Sequence, residues 1–276
     1  ESDETMQVSM VQGNISQDQK WLPEQQWPTL KMYRDYTLKE WQSDLIIWPE
    51  TAIPAIYHQV ESTYLTKLEK QAKDNQSVVI AGLPLIKSEK YYNGLVAIGD
   101  ESRQFYDKIH LVPFGEYMPF PSILSPLLEV LSIPMSDFRS GQNNQPLIDV
   151  KGISLAMTIC YEDVFGEEMI KMLPEADVLV NLSNDAWFGD SLAPHQHLQM
   201  AQMRALETGR YLLRSTNTGI TAIINPYGHI EKQMEQFKQG VLQGKVTVMS
   251  GTTPYVLVGN WAVVGFMSLI LLFHFV

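Results

Sequence analysis

The chain has one cysteine, Cys160, which lies where an apolar run ends in a polar turn. It follows the residues ISLAMTI and precedes YED. A cysteine after an apolar strand is most often a small buried hydrophobic residue. The abrupt polar turn favours a second interpretation, because open α/β sheets form their sites where strands end. In that case the thiol is accessible and acts as a nucleophile.

A nucleophilic thiol needs help, because a cysteine with a pKa of about 8.5 is only a few per cent ionised at neutral pH. Glu50 ends a second apolar stretch, DLIIWPE, and could serve as a base. Lys108 lies among apolar residues, where a buried ammonium is costly unless it is paired or functional. Taken singly, Glu50 is more often a helix cap or a loop residue, and Lys108 a strand-end side chain that reaches solvent. Together with Cys160 they could supply a base, a cation and a nucleophile.

Two histidines form a His-x-His pair, His195 and His197, directly after Pro194. Without a third ligand nearby, this spacing is a weak indication of a metal site. We interpret both as residues at the start of a helix, and we expect neither a metal nor a cofactor.

Short apolar runs alternate with amphipathic segments, which is typical of layered α/β proteins. The predicted strands are residues 7–12, 45–48, 78–83, 94–98, 153–159, 178–182, 211–215 and 220–224. The predicted helices are residues 27–41, 57–74 and 194–208. No repeat or flexible linker divides residues 1–251, so we predict that they form one domain.

The composition is that of a folded protein with an acidic surface. Hydrophobic residues make up 45% of the 276 residues and charged residues 18%, which argues against disorder. The net charge is −11 and the basic residues are scattered, so we expect no nucleic-acid partner. Because the sequence begins with Glu1, we expect it to be a processed or truncated form of a longer protein.

Two segments are unusually apolar. Residues 254–276 contain no Asp, Glu, Lys or Arg, and as one helix they would extend about 34 Å, enough to cross a hydrocarbon core of about 30 Å. We therefore predict a transmembrane helix over residues 252–276, with a buried core helix as the alternative. Residues 117–138 are apolar and rich in proline; they are either a helix packed on the core or an exposed arm that faces lipid.

Glu50, Lys108 and Cys160 occur in that order within the motifs IWPETAIP, YDKIHLVPFGEYMPF and CYEDVFG. The motifs NLSNDAWFG and QMRALETGRYLLRSTNTGITA follow, beginning at Asn181 and Gln202. In these motifs the chain resembles the nitrilase, or carbon-nitrogen hydrolase, superfamily, and within it most closely the apolipoprotein N-acyltransferase family. The resemblance covers nearly the whole chain before the apolar tail. It implies an α/β fold, a nitrilase-like α-β-β-α sandwich followed by a C-terminal transmembrane helix.

The resemblance also implies roles for individual residues. Glu50 would be the base, Lys108 would stabilise the oxyanion and Cys160 would form a thioester with an acyl group. Glu116 would position Lys108, and Glu162 would flank the pocket.

Four further residues complete the implied site. Tyr161 would donate its backbone N–H to the oxyanion, and Asn93 would line the site near the catalytic lysine. Trp187 and Phe188 would contact acyl chains of the substrate.

The function implied by the resemblance is acyl transfer in two half-reactions. The acyl donor would be a phospholipid, and the acceptor would be the α-amine of the N-terminal diacylglyceryl-cysteine of an apolipoprotein. The implied location is the bacterial inner membrane, with several spans in the full-length protein and the catalytic domain in the periplasm. Two alternatives remain: a nitrilase-type amidohydrolase that acts on small amides, and a non-catalytic module that binds lipid or lipoprotein.

Overall fold

The structure is a computed structural model, and it describes residues 4–119 and 137–274. These residues form two six-stranded β-sheets. The strands of the first half of the chain are β1 Thr5–Gln12, β2 Leu45–Ile47, β3 Val78–Lys87, β4 Lys90–Ile98 and β5 Gln104–Asp107. Those of the second half are β6 Ile148–Val150, β7 Ile153–Ile159, β8 Val178–Ser183, β9 Tyr211–Thr216, β10 Ala222–Ile224, β11 Ile230–Gln233 and β12 Gly240–Thr247.

The two sheets have related topologies. The strand order is β12-β1-β2-β3-β4-β5 in the first sheet and β11-β10-β9-β8-β7-β6 in the second. In each sheet three central strands are parallel, namely β1, β2 and β3 in the first and β7, β8 and β9 in the second, and the outer strands pair antiparallel. Parallel central strands bring their carboxyl ends to one edge, which is where α/β proteins form sites.

Eight α-helices accompany the two sheets in the part of the chain that the structure describes. In the first half they are α1 Gln17–Lys20, α2 Pro23–Thr37, α3 Tyr57–Val60 and α4 Thr66–Asp74, with a π-helical turn at Glu61–Leu65 between the last two. In the second half they are α5 Gly166–Met169, α6 Ala193–Thr208, α7 Pro254–Val258 and α8 Trp261–His274, with 3₁₀ turns at Cys160–Val164, Ile170–Met172 and Ala186–Phe188. The helix predicted at residues 27–41 thus begins earlier, at Pro23, because proline suits the first helical turn.

Three apolar clusters define the layers. One lies between the sheets and contains Met10 of β1 and Met157 of β7. A second joins the first sheet to α2, α3 and α4, and a third joins the second sheet to α5 and α6. The order of layers is therefore helix, sheet, sheet, helix, which confirms the predicted α-β-β-α sandwich.

The apolar segment at the end of the chain differs from the single helix predicted for it. Thr253 caps α7 by accepting a hydrogen bond from the Val256 N–H. The helix ends at Val258, and the next residue, Gly259, has a φ of 54°, a left-handed conformation that glycine tolerates. A second helix, α8, begins at Trp261. Within residues 4–119 and 137–274, no helix combines the length and the apolar character needed to cross a membrane.

Four strands were absent from the sequence prediction, and all four are sheet edges: β5, β6, β11 and β12. Edge strands are partly exposed, and β11, with the sequence IEKQ, has three exposed residues out of four. They therefore lack the continuous apolar run that marks a central strand. The second apolar segment, residues 117–138, falls largely outside the described residues, since its positions 120–136 are not described.

Candidate active site

Three strand ends meet where the two sheets face each other. Glu50 follows β2 and Lys108 follows β5, both in the first sheet, whereas Cys160 follows β7 of the second sheet. All three line one cavity of about 640 Å³. Residues that are 58 and 52 positions apart in sequence are thereby placed around a single space.

The turn that carries Glu50 is packed tightly against β3. Thr51 has a φ of 46°, so the chain reverses direction immediately after the glutamate. A Cβ atom at Gly82 of β3 would lie 2.6 Å from the Pro49 carbonyl oxygen and 2.8 Å from Glu50 Cα. Only glycine allows this approach, which fixes the backbone of Glu50 against the sheet.

Lys108 is buried, with 1% of its surface exposed, and two carboxylates bind its ammonium. Its Nζ lies 2.9 Å from Glu116 Oε2 and 3.4 Å from Glu50 Oε1. Burial by itself lowers the pKa of Lys108, but the negative charges of Glu50, a Cys160 thiolate and Glu116 outweigh burial and raise the pKa well above its usual value. Lys108 is thus a permanent cation facing the thiol.

Asn93 of β4 lies behind the two carboxylates. Its Nδ2 donates to Glu50 Oε1 at 2.7 Å and to Glu116 Oε1 at 2.6 Å. The backbone carbonyl oxygen of Asn93 accepts the backbone N–H of Lys108 at 2.8 Å. The side chain is buried and is not part of the cavity wall. Asn93 thus lies beside Lys108, with its amide nitrogen bonded to both carboxylates.

Cys160 begins the 3₁₀ turn Cys160–Val164 with a φ of 54°, a strained conformation for a residue other than glycine. Its carbonyl oxygen accepts hydrogen bonds from Asn181 Nδ2 at 3.0 Å and His197 Nε2 at 3.3 Å. Burial and the negative charge of Glu50 raise the pKa of the thiol far above its usual value, although Lys108 opposes this shift. The resting thiol is consequently protonated and requires a base.

A buried cluster of charges supports the turn that presents Cys160. His197 Nδ1 lies 3.1 Å from Asp185 Oδ1, and its Nε2 lies 2.8 Å from Asp163 Oδ1. Arg214 of β9 binds the other oxygens of the same carboxylates, at 3.1 Å for Asp163 and 2.9 Å for Asp185. Burial and Arg214 lower the pKa of His197, but the two aspartates outweigh them and raise it to about 9. Two cations thus balance two anions directly below the cysteine.

Glu162 is buried and is not among the residues that line this cavity. One carboxylate oxygen accepts the backbone N–H groups of Ile109 and His110 at 2.6 and 3.0 Å. The other accepts the N–H of Ile159 at 2.6 Å and the Tyr106 hydroxyl at 3.0 Å. Burial raises the pKa of Glu162 to about 7 despite these bonds. Glu162 therefore ties the segment after Lys108 to the end of β7.

The remaining wall of the cavity is mainly apolar. It comprises Val112, Pro113, Phe114, Tyr161, Val164, Trp187, Phe188, Ala193 and Met200. Trp187 is 72% exposed, and Phe114, Phe188 and Tyr161 are also exposed although all are large and hydrophobic. The Tyr161 ring packs edge-on against the Phe165 ring, with the two ring centroids 5.1 Å apart. Exposed aromatic side chains around a charged centre favour a substrate that is apolar except at its reacting group.

Several residues of this site were not predicted from the sequence as site residues. His197 was interpreted only as a helix-start residue, which it also is, since it lies in the first turns of α6. His195, the other histidine of the His-x-His pair, is not part of this cluster; its Nε2 lies 3.5 Å from Gln236 Nε2. Asp185 and Arg214 were overlooked; a signal was present, because Arg214 interrupts the apolar strand run YLLRST, where an unpaired charge would be costly.

The family model described as carbon-nitrogen hydrolase matches residues 7–255. The chain belongs to the carbon-nitrogen hydrolase family. Two curated relatives in this family are named apolipoprotein N-acyltransferase. That of Methylococcus capsulatus is 48% identical over 94% of this chain and 52% of its own length, and that of Photobacterium profundum is 43% identical over 93% of this chain and 51% of its own. The chain thus spans about half the length of these relatives.

Solved structures of carbon-nitrogen hydrolases share the fold. A superfamily member from Xanthomonas campestris, described with an arsenic adduct in its active site, aligns with a TM-score of 0.65 over 94% of both chains at 17% identity. Nit3 of Saccharomyces cerevisiae aligns with the same TM-score over 94% of both chains at 16% identity. At such low identity, the likeness demonstrates the α-β-β-α sandwich and nothing about substrates.

Proposed function

We propose that this chain is the catalytic part of an apolipoprotein N-acyltransferase, with Cys160 as its nucleophile. The observation that carries this proposal is the convergence of Glu50, Lys108 and Cys160 at one apolar cavity. The names of the relatives that match almost the whole chain support it. Residues 1–251 would form the catalytic domain.

In the first half-reaction, Glu50 accepts the thiol proton and Cys160 Sγ attacks the ester carbonyl of a phospholipid. Proton transfer neutralises Glu50, which removes one of the negative charges that disfavour the thiolate. Lys108 and the backbone N–H of Tyr161 stabilise the tetrahedral oxyanion. The carbon–oxygen bond breaks, Glu50 returns its proton to the departing alkoxide, and the products are a thioester on Cys160 and a lysophospholipid.

In the second half-reaction, the uncharged α-amine of an N-terminal diacylglyceryl-cysteine attacks the thioester. Glu50 takes a proton from the attacking nitrogen and gives it to the departing Cys160 sulfur. The product is an amide, and the free thiol is restored. A thioester is more reactive than an oxygen ester, so the first half-reaction is uphill. Formation of the less reactive amide makes the overall transfer favourable.

The supporting residues follow from the contacts at the site. Glu116 and Asn93 would position Lys108 and Glu50, and Glu162 would hold the two strand ends together. Trp187 and Phe188 would contact the acyl chains, since their exposed rings border the cavity.

A mass measurement tests this function. After incubation with phospholipid vesicles, we expect the protein to gain the mass of one fatty acyl group, located on Cys160, and the Cys160→Ala variant to gain none. Hydrolysis of small amides without any such adduct would support the amidohydrolase alternative. Lipid binding that is equal in wild type and variant, again without an adduct, would support a binding module.

We also propose that residues 252–276 attach the catalytic domain to the bacterial inner membrane, on its periplasmic side. The apolar side chains of α8 support this, because Trp261 is 77% exposed and Leu272 is 66% exposed. Substituting Phe266 and Ile270 with aspartate should release the chain from vesicles of bacterial lipid in a flotation assay. Flotation equal to that of wild type would contradict the proposal.

A further inference from the structure

One buried cation near the active site has no part in the mechanism above. Lys20 is the last residue of α1, and only 2% of its surface is exposed. Its Nζ donates to the backbone carbonyl oxygen of Glu50 at 3.1 Å. Among the described residues, no carboxylate forms an ion pair with this ammonium. Burying an ammonium without a carboxylate partner is costly, so a structural role alone is a poor explanation for it.

The position of α1 explains how Lys20 comes to lie there. Gln17, at the start of this single-turn helix, accepts a hydrogen bond at 2.9 Å from the side chain of Asn184, which precedes Asp185. Lys20, at its end, contacts the Glu50 turn. The helix therefore bridges the two sheets above the site, with one contact to each.

The charges of the site supply the reason for a second cation. Glu50 and Glu116 share the single ammonium of Lys108. Transfer of the thiol proton to Glu50 moves a negative charge onto the Cys160 sulfur, where burial disfavours it. A cation held against the Glu50 backbone would stabilise this charge.

We propose that Lys20 is a positioning residue of the active site, which fixes the backbone of Glu50 and stabilises the Cys160 thiolate by its positive charge. This inference rests on the proposed roles of Glu50 and Cys160. It assigns Lys20 no contact with the substrate.

The titration of Lys20 gives the inference a measurable consequence. Burial lowers the pKa of Lys20 to about 8, although the negative charges of Glu50 and a Cys160 thiolate oppose this shift. At pH 7 about nine in ten Lys20 side chains are then charged. The interaction is mutual: the Cys160 thiolate stabilises the Lys20 ammonium, and the ammonium stabilises the thiolate to the same extent. This stabilisation of the thiolate is lost as the pH rises through 8 and Lys20 loses its proton.

The single cysteine of the chain allows a direct test. The rate of alkylation of Cys160 by iodoacetamide is measured from pH 6 to pH 10 on the 276-residue chain, by intact mass. The variants are Lys20→Met, which removes the charge and the donor, and Lys20→Arg, which keeps both at every pH. Lys31→Met is the matched control, because Lys31 is an exposed lysine on the next helix.

We expect Lys20→Met to alkylate roughly ten times more slowly at pH 7 and the control to match wild type. We expect Lys20→Arg to match wild type at pH 7 and to exceed it above pH 8, where Lys20 has lost its charge. The arginine comparison remains decisive if the methionine variant does not fold. The inference would be overturned if Lys20→Arg and wild type were alkylated at the same rate above pH 8. It would also be overturned if folded Lys20→Met were alkylated as fast as wild type. Since alkylation needs no lipid, this outcome is independent of whether Cys160 forms an acyl adduct.

Discussion

The ammonium of Lys108 lies closer to Glu116, at 2.9 Å, than to Glu50, at 3.4 Å. Glu116 also accepts the backbone N–H of Val112 at 2.8 Å, so its carboxylate is held from two sides. The two glutamates therefore differ in their attachment. Glu116 holds the ammonium by the shorter contact and is itself fixed by the backbone, whereas Glu50 makes the longer contact.

This difference predicts the effect of Glu116→Gln. The variant keeps the shape of the side chain but loses the charge that holds Lys108, so the oxyanion loses a correctly placed donor. We expect the rate of acyl-adduct formation on Cys160 to fall about 100-fold, measured by quenched-flow mass spectrometry. Glu101→Gln, at an exposed turn, is the control and should react as wild type does. An unchanged rate in Glu116→Gln would contradict the role of Glu116.

Asn93 predicts a second effect, because its Nδ2 donates to both carboxylates. Asn93→Leu removes one donor from each of these acceptors, which keep the Lys108 ammonium, and should lower the free energy of unfolding by about 1–3 kcal/mol. Asn93→Asp should lower the free energy of unfolding further at pH 7, because it adds a third carboxylate to the pair. Its stability should recover as the pH falls and the carboxylates share a proton. Urea unfolding at pH 5 and pH 7 measures both. Equal stability of Asn93→Asp at the two pH values would argue against this arrangement.

The buried histidine predicts a pH dependence of stability. The pKa of His197 is raised to about 9 from 6.5, so its stabilisation is fully present below pH 6.5 and is lost as the pH rises through 9. Asp163, Asp185 and Arg214 face the imidazole, and both aspartates remain its partners across this range. The free energy of unfolding of wild type should therefore fall by up to about 3 kcal/mol relative to His197→Gln over this interval.

Urea unfolding at several pH values, taken as the difference between wild type and His197→Gln, isolates this contribution from other groups that titrate. His229→Gln, at an exposed histidine, is the control and should leave the profile unchanged. If the wild-type and His197→Gln curves run parallel from pH 6.5 to pH 9, the histidine is not charged in the folded protein.

The exposed ring of Trp187 predicts that its removal changes the reaction with substrate but not the stability of the fold. Because 72% of its surface is exposed, Trp187→Ala should change the free energy of unfolding by less than about 0.5 kcal/mol. It should lower kcat/KM about tenfold for a long-chain phospholipid but leave a short-chain ester unaffected. Trp27→Ala, at a 60% exposed tryptophan of α2, is the matched control. Equal losses with both esters would show that Trp187 does not select the acyl chain.

The fold could be predicted from the sequence wherever burial leaves an apolar run. Central strands such as β7 and β8 are almost wholly buried, and their boundaries were predicted to within one residue. The edge strands β5, β6, β11 and β12 were missed, because exposed positions admit polar residues and erase the pattern. The tail was predicted as one helix, because its uniformly apolar composition hides the turn at Gly259.

The residues of the site also fall into those that the sequence indicates and those that only the structure reveals. Glu50, Lys108 and Cys160 were recognised because each lies in a motif that its neighbours make specific. Lys20 has no such motif, and nothing in its sequence separates it from a surface lysine. Its burial and its contact with Glu50 arise only when α1 is placed across the two sheets.

The sequence by itself determined the α-β-β-α sandwich, the choice of Cys160, Glu50 and Lys108 as the proposed catalytic residues, and membership of the carbon-nitrogen hydrolase family. These depend on local patterns, since strand composition and short motifs are properties of neighbouring residues. Only the tertiary structure decided how the charges are balanced. The hydrogen bonds that join Asn93 to two glutamates, His197 to two aspartates and Lys20 to the Glu50 backbone link distant segments, so their geometry exists only once the sheets have packed together.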